Sequence, residues 1–150
     1  MQKWVQETIS LVEPEARKRH VNIVLQDMPS LELYGDRSQL QQVLVNLLMN
    51  AIQVSDAQQQ VEIAAQRMGA QLVRIIVTDR GTGIDEINLS KVFDPFFTTK
   101  VVGEGSGLGL SISLGIVQFH NGSLTLVNNL KGGVDAVVTL PLSTVIDETK

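Results

Sequence analysis

The 150 residues contain no cysteine, which excludes disulfides and thiolate-ligated metals. Histidine is scarce as well. His20 and His120 are the only two, which argues against a multi-histidine metal centre. No apolar run approaches the ~20 residues that cross a bilayer, and the richest stretch, residues 43–52, is broken by Asn46 and Asn50. Residues 1–10 lack the continuous apolar core of a secretion signal, so none is expected there. Basic charge is in deficit: 12 Lys and Arg against 16 Asp and Glu give a net charge of -4, which argues against a nucleic-acid partner. The sequence has no Walker A loop, because Gly-Lys-Ser/Thr occurs nowhere. It has no Rossmann fingerprint either, since the glycine run from Gly103 carries Leu108 and Leu110 where that pattern needs glycine. Internal repeats and low-complexity stretches are absent too.

What remains is enough for one packed domain, 1–150: hydrophobic residues make up 43% and charged residues 19%. Helical and strand patterns alternate, which predicts an α+β fold of the α/β sandwich kind. Residues 5–19 read as a helix with Ile9, Val12 and Ala16 on one face, and residues 21–25 as a short strand. Asp36 is a good N-cap, and Gln39 three residues on completes a capping-box-like pair. The helix that follows runs to about Val54, with Leu40, Val43, Leu44, Leu47, Leu48 and Ala51 at the spacing of a core-facing stripe. Residues 61–68 and 72–78 read as strands joined at Gly69-Ala70. Residues 79–107 lose all periodicity, and long irregular segments inside compact domains are usually functional. A second helix is expected from about Gly107 to His120, stopped by Asn121-Gly122. Residues 124–128 and 134–140 read as closing strands around a turn at Lys131-Gly132-Gly133, and Pro141 ends the regular structure before a polar tail, 143–150. His20 and His120 both close helices, where a cation suits the dipole, and both read as structural or surface residues.

Four groups of residues can carry chemistry. Asn46 and Asn50 are four apart, so they share a helical face beside the apolar stripe. Two readings are open: the amides bridge neighbouring backbone, or a side-chain carbonyl ligates Mg²⁺, a hard cation that often takes only one or two protein oxygens. Asp79-Arg80-Gly81-Thr82-Gly83-Ile84 follows a strand directly. Either it is a turn with an Asx-type cap, or its carboxylate accepts a hydrogen bond from an amino group such as that of adenine while the glycines admit a flat ring. Gly103-Glu104-Gly105-Ser106-Gly107-Leu108-Gly109-Leu110 leads into a helix, offering free N–H groups and a partial positive charge to phosphate. Between these lies a stretch, 92–100, with three of the four phenylalanines and Lys100. It suits either simple packing or an apolar anchor for a lid, with Lys100 either solvated or on a phosphate.

In this order the segments resemble the ATP-binding catalytic domain of bacterial sensor histidine kinases, in the superfamily shared with type II topoisomerases, certain chaperones and mismatch-repair ATPases. Asn46-Leu47-Leu48-Met49-Asn50-Ala51 resembles the N box, and Asp79-Arg80-Gly81-Thr82-Gly83-Ile84 the first glycine box. Phe93-Asp94-Pro95-Phe96-Phe97 resembles the F box, and Gly105-Ser106-Gly107-Leu108-Gly109-Leu110 the second glycine box. The likeness covers residues 5–142, and the wording from Phe96 to Lys100 is similar to sensors of the nitrogen and dicarboxylate type.

The resemblance implies a Bergerat-type ATPase fold: a mixed sheet with helices on one face, and ATP between the N-box helix and a mobile lid. It implies that Asp79 binds the adenine amino group, that Asn50 ligates Mg²⁺ and that Asn46 supports the phosphates, Asn46 and Asn50 being the candidate catalytic residues. Gly81, Gly83 and Ile84 would shape the adenine pocket. Gly105, Ser106, Gly107, Leu108 and Gly109 would let the lid close over the phosphates. Many relatives carry a basic residue where this chain has Gln53, which shifts the cationic phosphate contact to Lys100. Gly133 is followed by Val134 and not by the threonine of some relatives, so no adenine contact is assigned there. The implied activity is transfer of the γ-phosphate to a histidine on a separate dimerisation domain, in the cytoplasmic part of a membrane-bound sensor, with no membrane contact by this piece. A response regulator would act through the whole protein. In the family that histidine lies on a helical hairpin before this domain, and residues 1–19 would be the exit from it. Two alternatives stay open: a serine kinase of the anti-sigma type, and an ATP-sensing domain without catalysis.

Overall fold

The computed structural model describes residues 2–26, 28–30, 33, 35–89, 91–94 and 109–142. Its elements are α1 (Gln2–Lys18), β1 (Asn22–Leu25), α2 (Arg37–Val54), β2 (Gln60–Met68), β3 (Leu72–Thr78), α3 (Glu86–Leu89), α4 (Gly109–Phe119), β4 (Ser123–Asn128) and β5 (Val134–Pro141). The irregular stretch after β3 thus contains one short helix. The expected lid, including Lys100, Gly105, Ser106, Gly107 and Leu108, lies outside the described residues, as does the expected polar tail.

The five strands form one mixed sheet in the order β1-β2-β3-β5-β4. β1 runs parallel to β2, and the other pairings are antiparallel. Alternation decides which face is covered. Val61, Ile63 and Ala65 of β2, Val73, Ile75 and Val77 of β3, and Ala136, Val138 and Leu140 of β5 are all buried, two residues apart, as period-two strands require. They join Leu40, Val43, Leu44, Leu47, Leu48, Ala51 and Ile52 of α2 and Val5, Val12 and Ala16 of α1 in one core. A fully enclosed side chain such as Leu48 or Ile52 contributes about 1.5–3 kcal/mol. Among the described residues no helix is long and apolar enough to cross a membrane.

Helix ends are set as much by tertiary partners as by local sequence. Asp36 caps α2 as expected, its carboxylate accepting from the Gln39 N–H at 2.9 Å. The reciprocal half of the capping box is absent. The Asp36 N–H instead donates to Nε2 of His120 at 2.9 Å. His120 terminates α4, and its Nδ1 lies 2.8 Å from the Ile116 carbonyl. Nδ1 therefore donates and Nε2 accepts, so the ring links the end of α4 to the start of α2. The stop after α4 is a left-handed residue, Asn121 (φ 62), with the Gly122 N–H reaching back to Val117 O at 2.9 Å.

His120 is 6% exposed, so truncation leaves a cavity where the ring packs and takes the partner from the Asp36 N–H. His120→Ala should destabilise the fold by roughly 1–3 kcal/mol, read from urea unfolding.

Candidate functional site

The first glycine segment begins where β3 ends, and the neighbouring strand β5 decides its shape. Asp79 is 6% exposed. Its backbone N–H donates to Val134 O at 3.0 Å. Its Oδ1 accepts from the Gly81 N–H at 2.9 Å and the Val134 N–H at 3.2 Å. One carboxylate oxygen is thereby fixed by two backbone donors, and among the described residues Oδ2 has no recorded partner. Burial raises the Asp79 carboxyl above its ordinary pKa; the donors from Gly81 and Val134 oppose that, Asp135 adds to it, and Arg80 lowers it. Asp135 is itself occupied by Thr78 Oγ1 and Asn129 Nδ2, each at 2.9 Å.

The rest of the segment lies between α2 and the β4–β5 turn. A Cβ on Gly81 would sit 2.8 Å from the carbonyl of Val54, the last residue of α2. This contact brings the end of β3 to the helix that carries Asn50. Gly83 has φ +86, and a Cβ there would fall 2.8 Å from Asn128 Oδ1. Ile84 is held at both backbone groups: its N–H donates to Asn128 Oδ1 at 2.8 Å, and its carbonyl accepts from Asn128 Nδ2 at 2.7 Å. Asp79, Gly81, Gly83 and Ile84 are thus held by α2, β4 and the start of β5.

Of the two asparagines, Asn46 follows the bridging reading. Its Nδ2 donates to Gly109 O at 3.3 Å and to the fully buried Ser113 Oγ at 3.1 Å, while its Oδ1 accepts from Gln42 Nε2 at 2.9 Å. The second helix is fastened to α2 at its first turn by Asn46 and at its last by His120. Asn50 is half-buried one turn further along the same side of α2. Phe93 packs against the core beside the buried Val92, whereas Pro95 to Lys100 lie outside the described residues. Among the described residues no three His, Cys, Asp or Glu side chains form a metal cluster.

Sequence reasoning missed Ser113, Asn128, Gly133 and Val134. The last two were read as a turn and the start of a strand. In the structure Gly133 (φ +87) lies so close to Asp79 that a Cβ would stand 2.1 Å from its carbonyl oxygen. The available signal was the glycine pair itself, since Gly132 and Gly133 both have positive φ.

Comparison with known proteins places this geometry. Residues 35–144 match the family described as histidine kinase-, DNA gyrase B-, and HSP90-like ATPase. The chain is 30% identical over 138 residues to sporulation kinase B of Bacillus subtilis (strain 168), covering 91% of this chain and 32% of that protein. It is 34% identical over 140 residues to the signal transduction histidine-protein kinase AtoS of Escherichia coli (strain K12), covering 93% of this chain and 23% of that protein. It therefore spans a third or less of the length of these curated relatives. The solved catalytic domain of histidine kinase ThkA matches with a TM-score of 0.82 at 32% identity, over 93% of this chain and 92% of that one. ThkA in complex with the response regulator protein TrrA matches with a TM-score of 0.79 at 29% identity, over 95% of this chain and 40% of that one. The buried carboxylate after β3, the asparagine helix beside it and the match across residues 35–144 lead to one conclusion: the chain belongs to the histidine kinase-, DNA gyrase B- and HSP90-like ATPase family, as an ATP-binding catalytic domain of the sensor histidine kinase type.

Proposed function

We propose that this domain holds MgATP with the adenine amino group on Asp79 and presents the γ-phosphate to a histidine on a dimerisation domain in two-component signalling. The observation that carries the reading is the Asp79 carboxylate: buried, with one oxygen fixed by the Gly81 and Val134 N–H groups. A fixed anionic acceptor in a dry site selects a ligand that brings a donor. Gly81, Gly83 and Ile84 line the base end. Asn46 supports the phosphates indirectly by holding Gly109, the first residue of α4. Gly105, Ser106, Gly107 and Leu108 serve as the phosphate cover that precedes it, and Lys100 as the cationic phosphate contact.

The donor set fits magnesium. Asn46 is committed to protein partners, and no carboxylate cluster is present among the described residues. By the resemblance Asn50, one turn further along α2, would supply the protein oxygen, and a single amide oxygen suits a cation that brings water and phosphate oxygens of its own. Asn50 would hold the ion there, and the chemistry the ion would supply is neutralisation of phosphate charge. The chain's own contribution is to orient the nucleotide and keep its base end dry. The acceptor histidine belongs to the dimerisation domain, and a response regulator, as ThkA has in TrrA, takes the phosphoryl group onward.

The test mixes the domain with γ-labelled MgATP and an added histidine-bearing hairpin. Label should pass to the hairpin, and the domain alone should bind nucleotide with little hydrolysis. Binding without any transfer would favour an ATP sensor, and label on serine would favour the anti-sigma type.

A further inference from the structure

We infer that Asn128 is a positioning residue of the nucleotide site, holding residues 83–84 in the shape that receives the base. The inference rests on the proposal that adenine sits beside Asp79. Asn128 ends β4 and stands opposite Val134, the first residue of β5, in the sheet ladder. That one cross-strand pair reaches the site twice. Val134 donates its N–H to Asp79 Oδ1 at 3.2 Å. Asn128 gives its amide to both backbone groups of Ile84, accepting at 2.8 Å and donating at 2.7 Å.

The geometry selects asparagine. A carboxamide pairs with one peptide-bonded residue as a neighbouring strand would, one donor and one acceptor side by side. Aspartate has the same shape but no hydrogen for the Ile84 carbonyl, and alanine has neither group. Gly83 completes the fit, because the place of a Cβ there is taken by Asn128 Oδ1 at 2.8 Å. The two bonds lie at an exposed position, so their contribution to global stability is small. Their effect is local: among the described residues no other hydrogen bond holds the Ile84 backbone, and Gly83 before it is free to rotate. The acceptor for the base would remain in place while the backbone beside it moved.

The experiment titrates MgATP and MgADP into the native chain, Asp79→Asn, Asn128→Ala and the isosteric Asn128→Asp by calorimetry, with hydrogen exchange of the Ile84 amide followed in the native chain and Asn128→Ala. Both Asn128 variants should lose affinity about tenfold. ATP and ADP should lose the same factor, because the clamp acts at the base end. The Ile84 amide should exchange faster in Asn128→Ala without nucleotide, and the melting midpoint should fall by no more than about 5 °C. Native affinity in both Asn128 variants, alongside lost binding in Asp79→Asn, would overturn the role of Asn128 and leave the adenine site standing. A native chain that binds neither nucleotide would overturn both. A large fall in melting midpoint in both Asn128 variants would make the residue structural and also overturn the inference.

Discussion

Asp79→Asn should lower ATP affinity by ~100-fold or more and yet leave the domain at least as stable as the native chain at neutral pH. The two effects have one cause. The asparagine oxygen can still accept from the Gly81 and Val134 N–H groups, so the backbone keeps its arrangement. The other position then carries an NH₂ where an adenine amino group needs an acceptor, and two donors face each other. Stability moves the other way because burial raises the carboxyl pKa in the folded state. Between its unfolded and folded values the native chain holds the extra proton, so native stability falls as pH rises through that interval. Below the unfolded value the ionisation cost is absent, and above the folded value it is complete. Urea midpoints of the two proteins, taken from pH 4 to 8, should therefore diverge in favour of the variant as pH rises. ATP affinity of the native chain should show the opposite trend and strengthen as the carboxylate ionises. A variant that is both less stable than native at pH 8 and still competent for ATP would refute the assignment.

The second large effect is structural. Gly133→Ala would put a Cβ 2.1 Å from the Asp79 carbonyl oxygen and 2.7 Å from its Oδ1, at φ +87. The left-handed backbone costs about 1–2 kcal/mol for a residue with a Cβ. Displacing backbone atoms that cannot rotate away adds roughly 1–3 kcal/mol. The sum, roughly 2–5 kcal/mol, should appear in the urea midpoint, with nucleotide binding lost in whatever fraction still folds. Gly115→Ala is the internal control. Among the described residues nothing lies within 4 Å of a Cβ there, and alanine in a helix interior should stabilise by about 0.5–1 kcal/mol.

The contrast between these glycines shows what sequence alone conveys. Local rules placed α2 well, because Asp36, Gln39 and the stripe from Leu40 to Ala51 act within a few residues of one another. They also placed β3, where alternation is strict, and the irregular segment that follows it from Asp79, where an Asx-type turn and a ligand-binding carboxylate have the same composition. They could not find what closes the site. His120 meets Asp36 across 84 residues, Asn46 meets Ser113 across 67, and Asn128 meets Ile84 across 44. Each is a polar residue with an ordinary local reading, and only the fold brings it to its partner. The capping box failed for the same reason: a distant imidazole holds the N–H that Gln39 was expected to take.

The place of β5 in the sheet bears on how the domain is made. It is the last of the five strands in sequence, yet it lies between β3 and β4. A chain emerging from the ribosome exposes the edge of β3 until residues 134–141 follow, and β4 cannot cover that edge because its pairing is to β5. The same residues bring the Val134 N–H that fixes Asp79. A nucleotide bound at Asp79 as proposed would therefore have no formed site to stabilise in the nascent chain and would act only once β5 is in place, drawing folded domains out of the folding equilibrium by mass action.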